Sequence, residues 1–409
     1  MRRIPSYIIN REFTLFILVR ILFIAGLRMT PVLMGWQLYE ITGSKLALGM
    51  LGLSEVIPAI LLALPAGVRV DHSNKHRLIT FCIAGYLFLM LALLYLSSKW
   101  SPITGSRFWM EWSIYLVFFG TGVIRAYSSP ALNSFLAQLV PAQALVKAVS
   151  INSMTWLVAA VAGPALGGLL LGYAGITVAL TVSSSLLVMA LILFGFIAPK
   201  PVSWKKGTTS TWDGVTEGLR FVIGQKALLS ALTIDMFAVL FGGAVALLPV
   251  FAKDILQAGP IALGWLMAAT YLGNFVAIAW LTAHPLKGKQ GRTLIYSVGG
   301  FGLSILLFAL SENVWLSFIA LFVGGLFDGV SVIIRGTIVQ LFVPDEMRGR
   351  VSSVNSIFVN SSNELGQFES GVTASLMGTV PAVLFGGTMT LLVVVVSWFK
   401  APKLREFEY

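Results

Sequence analysis

The sequence predicts an all-α membrane protein of twelve transmembrane helices, arranged as two pseudo-symmetric six-helix bundles with both termini cytoplasmic. Three observations predict it: a composition too apolar for water, twelve apolar runs of bilayer length, and an internal repeat relating the two halves. Of 409 residues, 57% are apolar and 11% charged, against roughly 45–50% and about 25% in a soluble domain. Twenty-eight basic and 17 acidic side chains are too few to cover a soluble core of this size, so lipid is the expected solvent. The net charge of +11 first suggests nucleic acid. A membrane chain, however, gathers Lys and Arg on its cytoplasmic side for topological reasons. The single cysteine, Cys82, sits in an apolar run and reads as an inert thiol.

A span needs ~20 mainly apolar residues to cross about 30 Å of hydrocarbon. Runs of that length, bounded by polar or Gly/Pro-rich breaks, fall at 13–38, 46–70, 78–98, 110–137, 146–172, 176–198, 227–252, 261–283, 293–311, 314–342, 351–377 and 381–399. The longest hydrophilic stretch, 200–226, divides them into an N-terminal bundle (1–199) and a C-terminal bundle (227–409). Within that linker, Trp212 to Ile223 has the pattern of a short helix lying on the membrane surface. With the N-terminus inside, twenty basic residues fall on the inner side and four on the outer. That asymmetry places both termini in the cytoplasm and accounts for the net charge without nucleic acid. The first run is too long for a signal-peptide core and is kept as a span.

The repeat appears at an offset of 203. Val140-Pro141 matches Val343-Pro344, Ser150 matches Ser353, Asn152-Ser153 matches Asn355-Ser356, and Gly163 and Gly168 match Gly366 and Gly371, while Lys147 aligns with Arg350. Related six-helix halves are a transporter architecture, with the substrate site expected near the bilayer midplane where they meet.

Three motifs carry a family resemblance. After the second span runs Gly67-Val68-Arg69-Val70-Asp71-His72-Ser73-Asn74-Lys75-His76-Arg77, which resembles the Gly-x-x-x-Asp-(Arg/Lys)-x-Gly-Arg-(Arg/Lys) loop of the major facilitator superfamily, with Asn74 replacing the central glycine. Gly67 is expected to permit close helix contact, and Asp71, with Lys75 and Arg77 nearby, to hold one conformation through a cap or an ion pair. The fifth span carries Gly163-Pro164-Ala165-Leu166-Gly167-Gly168, similar to an element of the family's exporters, in which Pro164 should bend the helix and the glycines form a tight seam. The loop from Val343 through Arg348 to Arg350, together with Glu217-Gly218-Leu219-Arg220-Phe221, resembles the branch containing enterobactin-type siderophore exporters and macrolide efflux pumps. The resemblance implies helices 1, 4, 7 and 10 around a central chamber, with every third helix an outer support.

Nine ionisable residues lie within the predicted spans and away from their ends: Arg20, Arg28, Glu55, Arg125, Asp235, Asp328, Arg335, Glu364 and Glu369. A charge at this depth costs about 2.5–3.5 kcal/mol on insertion scales, so each needs a partner or water. None falls on span 3, 6, 9 or 12, which is the pattern the family fold implies. The offset sets Arg125 opposite Asp328, and a pair across the chamber is expected. Asp328 and Arg335 lie about 10.5 Å apart along one helix face, too far for a direct pair. Ser353, Ser356, Asn360, Asn363 and Gln367 form one polar stripe with Glu364 beside it, a face that must meet water, substrate or a polar helix. Arg28, Glu55, Arg125, Asp235, Asp328, Arg335, Asn360, Asn363, Glu364 and Gln367 are therefore the candidate substrate and proton pathway. Trp36, Tyr127, Trp156 and Phe358 are candidate aromatic wall. The gating candidates are Gly67, Asp71, Lys75, Arg77, Gly163, Pro164, Gly167, Gly168, Arg348 and Arg350.

The expected function is proton-coupled export of a small amphipathic, anionic molecule, siderophore-like or drug-like, across the bacterial inner membrane by alternating access. The chain needs no cofactor beyond the proton gradient, binds a small molecule and the bilayer rather than nucleic acid, and is expected to be a monomer. An uptake carrier or lysophospholipid flippase on the same fold is the alternative. A membrane enzyme or channel finds little support, since the sequence has no metal cluster, nucleophile motif or ATP-binding loop.

Overall fold

In lipid, every backbone N–H and C=O must be satisfied internally, and long apolar runs do so as helices. The computed structural model describes residues 10–98, 100–102, 105–201, 211–286, 288–344 and 347–408; the side chains at 64, 68, 71, 211–215, 348, 349, 353, 357 and 360 also lie outside the described set. The helices are α1 (Arg11–Thr42), α2 (Lys45–His72), α3 (Lys75–Leu96), α4 (Arg107–Leu139), α5 (Leu145–Gly195), α6 (Thr211–Gly224) and α7 (Lys226–Gly242). They continue with α8 (Leu248–Val250), α9 (Gly259–Ala283), α10 (Gln290–Ala309), α11 (Val314–Phe342), α12 (Arg348–Met377), α13 (Thr379–Lys400) and α14 (Pro402–Arg405).

Among the described residues, nine helical segments are long and apolar enough to cross a membrane, those of α1, α2, α3, α5, α9, α10, α11 and α13 and the run Lys226–Ile255. The long helices α4 and α12 carry more polar residues, Arg125 on the one and the Ser/Asn/Gln stripe on the other. Phe81, Phe88, Leu116, Tyr173 and Leu376 are each at least 70% exposed, which suits a lipid-facing wall and would be costly in water. Segments 146–172 and 176–198 both fall in α5, whose backbone leaves helical geometry at Gly175 (φ 80°, ψ 174°). Only glycine adopts that conformation without strain. The non-helical residue in α5 is Gly175, and Pro164 lies inside a helical stretch.

The chain divides into two compact units, residues 1–42 with 57–207, and 43–56 with 208–409. In the first, α1 lies along both halves of α5. A Cβ built on Gly163 would sit 2.6 Å from the Arg28 Cβ and 2.8 Å from the Ala25 carbonyl, and one on Gly167 would sit 3.3 Å from the Met29 Cα. Farther along α5, the Ser183 hydroxyl donates to the Gly26 carbonyl at 2.9 Å. An aromatic core of Phe16, Phe135 and Phe194 joins α1, α4 and α5, with His76 of α3 stacked on Phe194 at 4.7 Å. Lys200 closes the unit by pairing with Glu12 at 2.5 Å.

In the second unit, Gly325 and Gly329 of α11 pack on Gly273 and Ala277 of α9. A Cβ on Gly325 would strike the Thr270 carbonyl, and one on Gly329 would lie 2.7 Å from the Ala277 Cβ. Spaced small residues bring two membrane helices this close. Leu228, Leu232, Ile334, Ile338, Leu294 and Val351 form the apolar core. The Gly49 and Gly371 backbones also meet in this unit, with a Cβ on Gly371 placed 2.6 Å from the Gly49 Cα.

Overfilling the α1–α5 seam should cost about 1–3 kcal/mol. Gly163→Val is therefore expected to lower the thermal unfolding midpoint of the purified protein. Gly195→Ala, on the same helix with open space around it, should leave the midpoint unchanged or raise it.

Candidate functional site

The second unit buries a charge cluster contributed by three helices. Asp235 on α7 is 4% exposed and Arg335 on α11 is 8% exposed. They form an ion pair with Arg335 Nη1 2.5 Å from Asp235 Oδ2. Arg335 Nε also donates to Ser331 Oγ at 3.3 Å. Asp328, Ser331 and Arg335 lie at i, i+3 and i+7 on one face of α11. Asp328 takes a hydrogen bond at 2.7 Å from Asn274 Nδ2 of α9, and the glycine seam between α9 and α11 makes that approach possible. Asp235, Asp328, Ser297 and Ser331 line a void of about 10 Å³, roughly the volume that admits one water. Two carboxylates therefore share an environment with one guanidinium, and a single proton decides whether the cluster is neutral.

The sequence separates Asp328 from Arg335 by too great a distance for a direct pair, and the structure supplies the missing partner: α7 places Asp235 against Arg335. Arg125, expected opposite Asp328, is half-buried on α4, and the described hydrogen bond to Asp328 comes from Asn274. In the first unit, Arg28 lies over the Trp156 ring at 5.1 Å from its centroid, so a predicted wall residue and a predicted charge meet. Glu55 is half-buried on α2, Glu364 is buried and Gln367 half-buried on α12, and Asn360 lies outside the described side chains. Ser356 and Asn363 are exposed, and Asn363 Nδ2 bonds back to the Val359 carbonyl at 2.8 Å.

The gating residues divide. Gly163 and Gly167 form the α1–α5 seam, and Pro164 and Gly168 are buried beside them. Asp71 and Arg348 lie outside the described side chains. At Gly67 a Cβ would meet nothing within 4 Å among the described residues. Asn74, which departs from the family loop, caps α3 by accepting from the Arg77 backbone N–H at 3.1 Å. Asparagine is among the best N-caps, whereas glycine has no side chain with which to accept that bond. Lys75 is buried and Arg77 exposed. Arg350 pairs with Glu217 at 2.5 Å, and a Cβ on Gly218 would lie 2.9 Å from the Arg350 carbonyl oxygen. Two motifs far apart in sequence thus join α6 to α12. The linker helix, expected on the membrane surface, has Val222 fully buried in the core of the second unit.

Sequence reasoning missed Asn274, Ser331 and the buried state of Arg20. Asn274 is an amide in an otherwise apolar helix, a signal present in the sequence. Arg20 is 7% exposed and its Nε has no hydrogen-bond acceptor. Among the described residues, no group of three or more His, Cys, Asp or Glu is placed to hold a metal ion.

The family model for transmembrane secretion effectors of the major facilitator type matches residues 8–409. The multidrug efflux pump Tap of Mycolicibacterium fortuitum is 24% identical, with 94% of each chain covered. The enterobactin exporter EntS of Shigella flexneri is 25% identical over 72% of this chain and 70% of its own. Among solved structures, a D-xylose–proton symporter superposes with a TM-score of 0.72 at 13% identity, covering 97% of this chain and 99% of its own, a likeness of fold.

Removing one partner of a buried ion pair costs about 3–5 kcal/mol because it strands the other charge. Arg335→Met should therefore lower the thermal midpoint sharply, and Asp235→Asn in the same background should restore most of the loss. The Glu217–Arg350 pair is half in solvent and is worth at most about 1 kcal/mol. In the same assay Glu217→Gln should be nearly silent, while Gly218→Val, which forces α6 from α12, should cost about 1–3 kcal/mol.

Proposed function

The chain belongs to the transmembrane secretion effector family of major facilitator transporters, and from that premise we infer that it is a proton-coupled exporter of a small amphipathic anion. It is thus a membrane transporter for small molecules and not an enzyme. The observation that carries the coupling is the cluster of Asp235, Asp328 and Arg335. With one cation against two carboxylates, the cluster is neutral only when it holds one proton, and an uncompensated charge at this depth costs about 2.5–3.5 kcal/mol. Contact with water or an approaching ligand favours release of that proton. A proton site with two such states is what a gradient needs to drive transport.

Export is supported by the relatives, named as an efflux pump and a siderophore exporter; the likeness to a proton symporter bears on the fold and leaves direction to the relatives. An anionic cargo is supported by Arg20, Arg28 and Arg125, three arginines at membrane depth, which a pump for cations would have to overcome. The exposed Ser356 and Asn363 on α12 fit a water-lined face. The full reading has twelve crossings, both termini in the cytoplasm of a bacterial inner membrane, bundles at 1–199 and 227–409 joined by 200–226, and a monomer working by alternating access without a resident cofactor.

Flux into proteoliposomes under an imposed pH gradient tests the coupling. Uptake in the direction opposite to proton flow should rise with the gradient, and Asp235→Asn or Asp328→Asn should abolish that dependence. Transport indifferent to the gradient and to neutralising Glu55, Asp235, Asp328 and Glu364 would remove the coupling.

A further inference from the structure

Within the first unit, a pocket of about 440 Å³ opens between α1 and α5, a size typical of small-molecule sites. Its floor is Ile21 of α1; its wall is one face of α5, with Lys147, Ser150, Ile151, Met154 and Val158 at steps of three, one, three and four. Lys147 and Ser150 lie toward the start of the helix, Thr155 is buried farther along the same face, and the rest of the lining is apolar. The hydroxyls are already engaged: Ser150 donates to the Val146 carbonyl at 3.0 Å and Thr155 to the Ile151 carbonyl at 2.8 Å. Lys147 is the one charge lining the pocket, is half-buried, and has no ion pair among the described residues.

Two features make this lysine unusual. It stands in the first turn of α5, which holds no acidic residue and no side-chain cap, so the helix dipole opposes its charge. Its repeat counterpart, Arg350, is neutralised by Glu217 at 2.5 Å, whereas among the described residues no carboxylate pairs with Lys147. Helix terminus and ammonium thus present positive potential at the rim of an apolar pocket.

We propose that this pocket is a binding subsite for an amphipathic anion, its apolar body held by Ile21, Ile151, Met154 and Val158 and its carboxylate, sulfonate or phosphate paired with Lys147. The proposal rests on the exporter reading and deepens it by naming the residue that selects charge. The test uses a matched pair of probes, 8-anilino-1-naphthalenesulfonate and N-phenyl-1-naphthylamine, which share a body and differ in the sulfonate. The full chain carrying Ser150→Cys, an exposed position, is placed in phosphatidylcholine nanodiscs and alkylated with N-ethylmaleimide; the native Cys82 is buried.

The sulfonate probe should protect the thiol introduced by Ser150→Cys at up to about fivefold lower concentration than the neutral one, the worth of one half-exposed ion pair. Lys147→Gln should erase the difference, and Lys147→Arg should keep it. Equal protection by the two probes, or a preference that survives Lys147→Gln, would overturn the proposal. So would protection by phosphatidylglycerol discs alone that matches the probe, since the occupant would then be a lipid headgroup. Gradient-driven flux that persists after such a result would leave export standing and remove only the subsite; protection by the anion without coupled flux would do the reverse.

Discussion

A guanidinium enclosed in an apolar bundle must be answered by a carboxylate, and in the second unit that requirement determines which helices lie side by side. Arg335 is almost wholly withdrawn from the surface. Its partner could not come from its own helix, because Asp328 is two turns away on the same face. The carboxylate that meets it, Asp235, comes from α7, so the ion pair binds α7 to α11. The residual acid, Asp328, then needs a donor of its own and finds it in Asn274 of α9. Replacing such an arrangement with apolar residues is often neutral or stabilising in soluble proteins, so stability alone is a poor reason for its presence. A site that changes charge during a transport cycle is a better one.

The glycines make this placement possible. Lipid offers no hydrophobic force to press helices together, so close packing of small residues and interhelical hydrogen bonds must do it. At the α9–α11 seam, Gly325 and Gly329 admit the other helix to backbone contact, and the short side chain of Asn274 then reaches Asp328. At the α1–α5 seam, Gly163 accommodates the Arg28 Cβ, and the rest of that side chain extends over Trp156. In both units a seam of small residues therefore positions a charged one. The exporter-like Gly-Pro-x-x-Gly-Gly element has this seam as its structural role, while the conformational break in α5 belongs to Gly175.

Much of the fold was legible because it follows from solvent. Apolar runs of bilayer length became helices, and Asp235 of α7 meets Arg335 of α11 inside the second unit. Pairing was less legible. Nothing in the spacing of Asp235 tells which arginine it meets, since that depends on helix rotation, which packing sets and composition does not. The same limit applies to Asn274, whose importance appears only when Asp328 is beside it. The family loop shows the reverse case: Asn74 reads as a defect against the glycine pattern, and in the structure it is a helix cap. Glu217 and Arg350 belong to two motifs that carry one family resemblance, and only tertiary contact shows that they pair.

The two halves of the chain also differ in the sign of the charge their spans carry. Of the nine ionisable residues well inside predicted spans, the N-terminal half holds Arg20, Arg28 and Arg125 with one carboxylate, Glu55, while the C-terminal half holds Asp235, Asp328, Glu364 and Glu369, with Arg335. Ancestral duplication would have given both halves similar chemistry, and the offset of 203 still sets Arg125 against Asp328. Divergence in charge at a matched position is hard to attribute to packing, because an arginine and an aspartate differ in length as well as sign. It is natural if the halves divided two tasks. A mainly basic half is suited to holding an anionic cargo, and a mainly acidic half with one internal counter-ion is suited to taking up and releasing protons. On that argument the duplication supplied the scaffold, and the electrostatic asymmetry that followed is what the proposed coupling of cargo to proton would draw on.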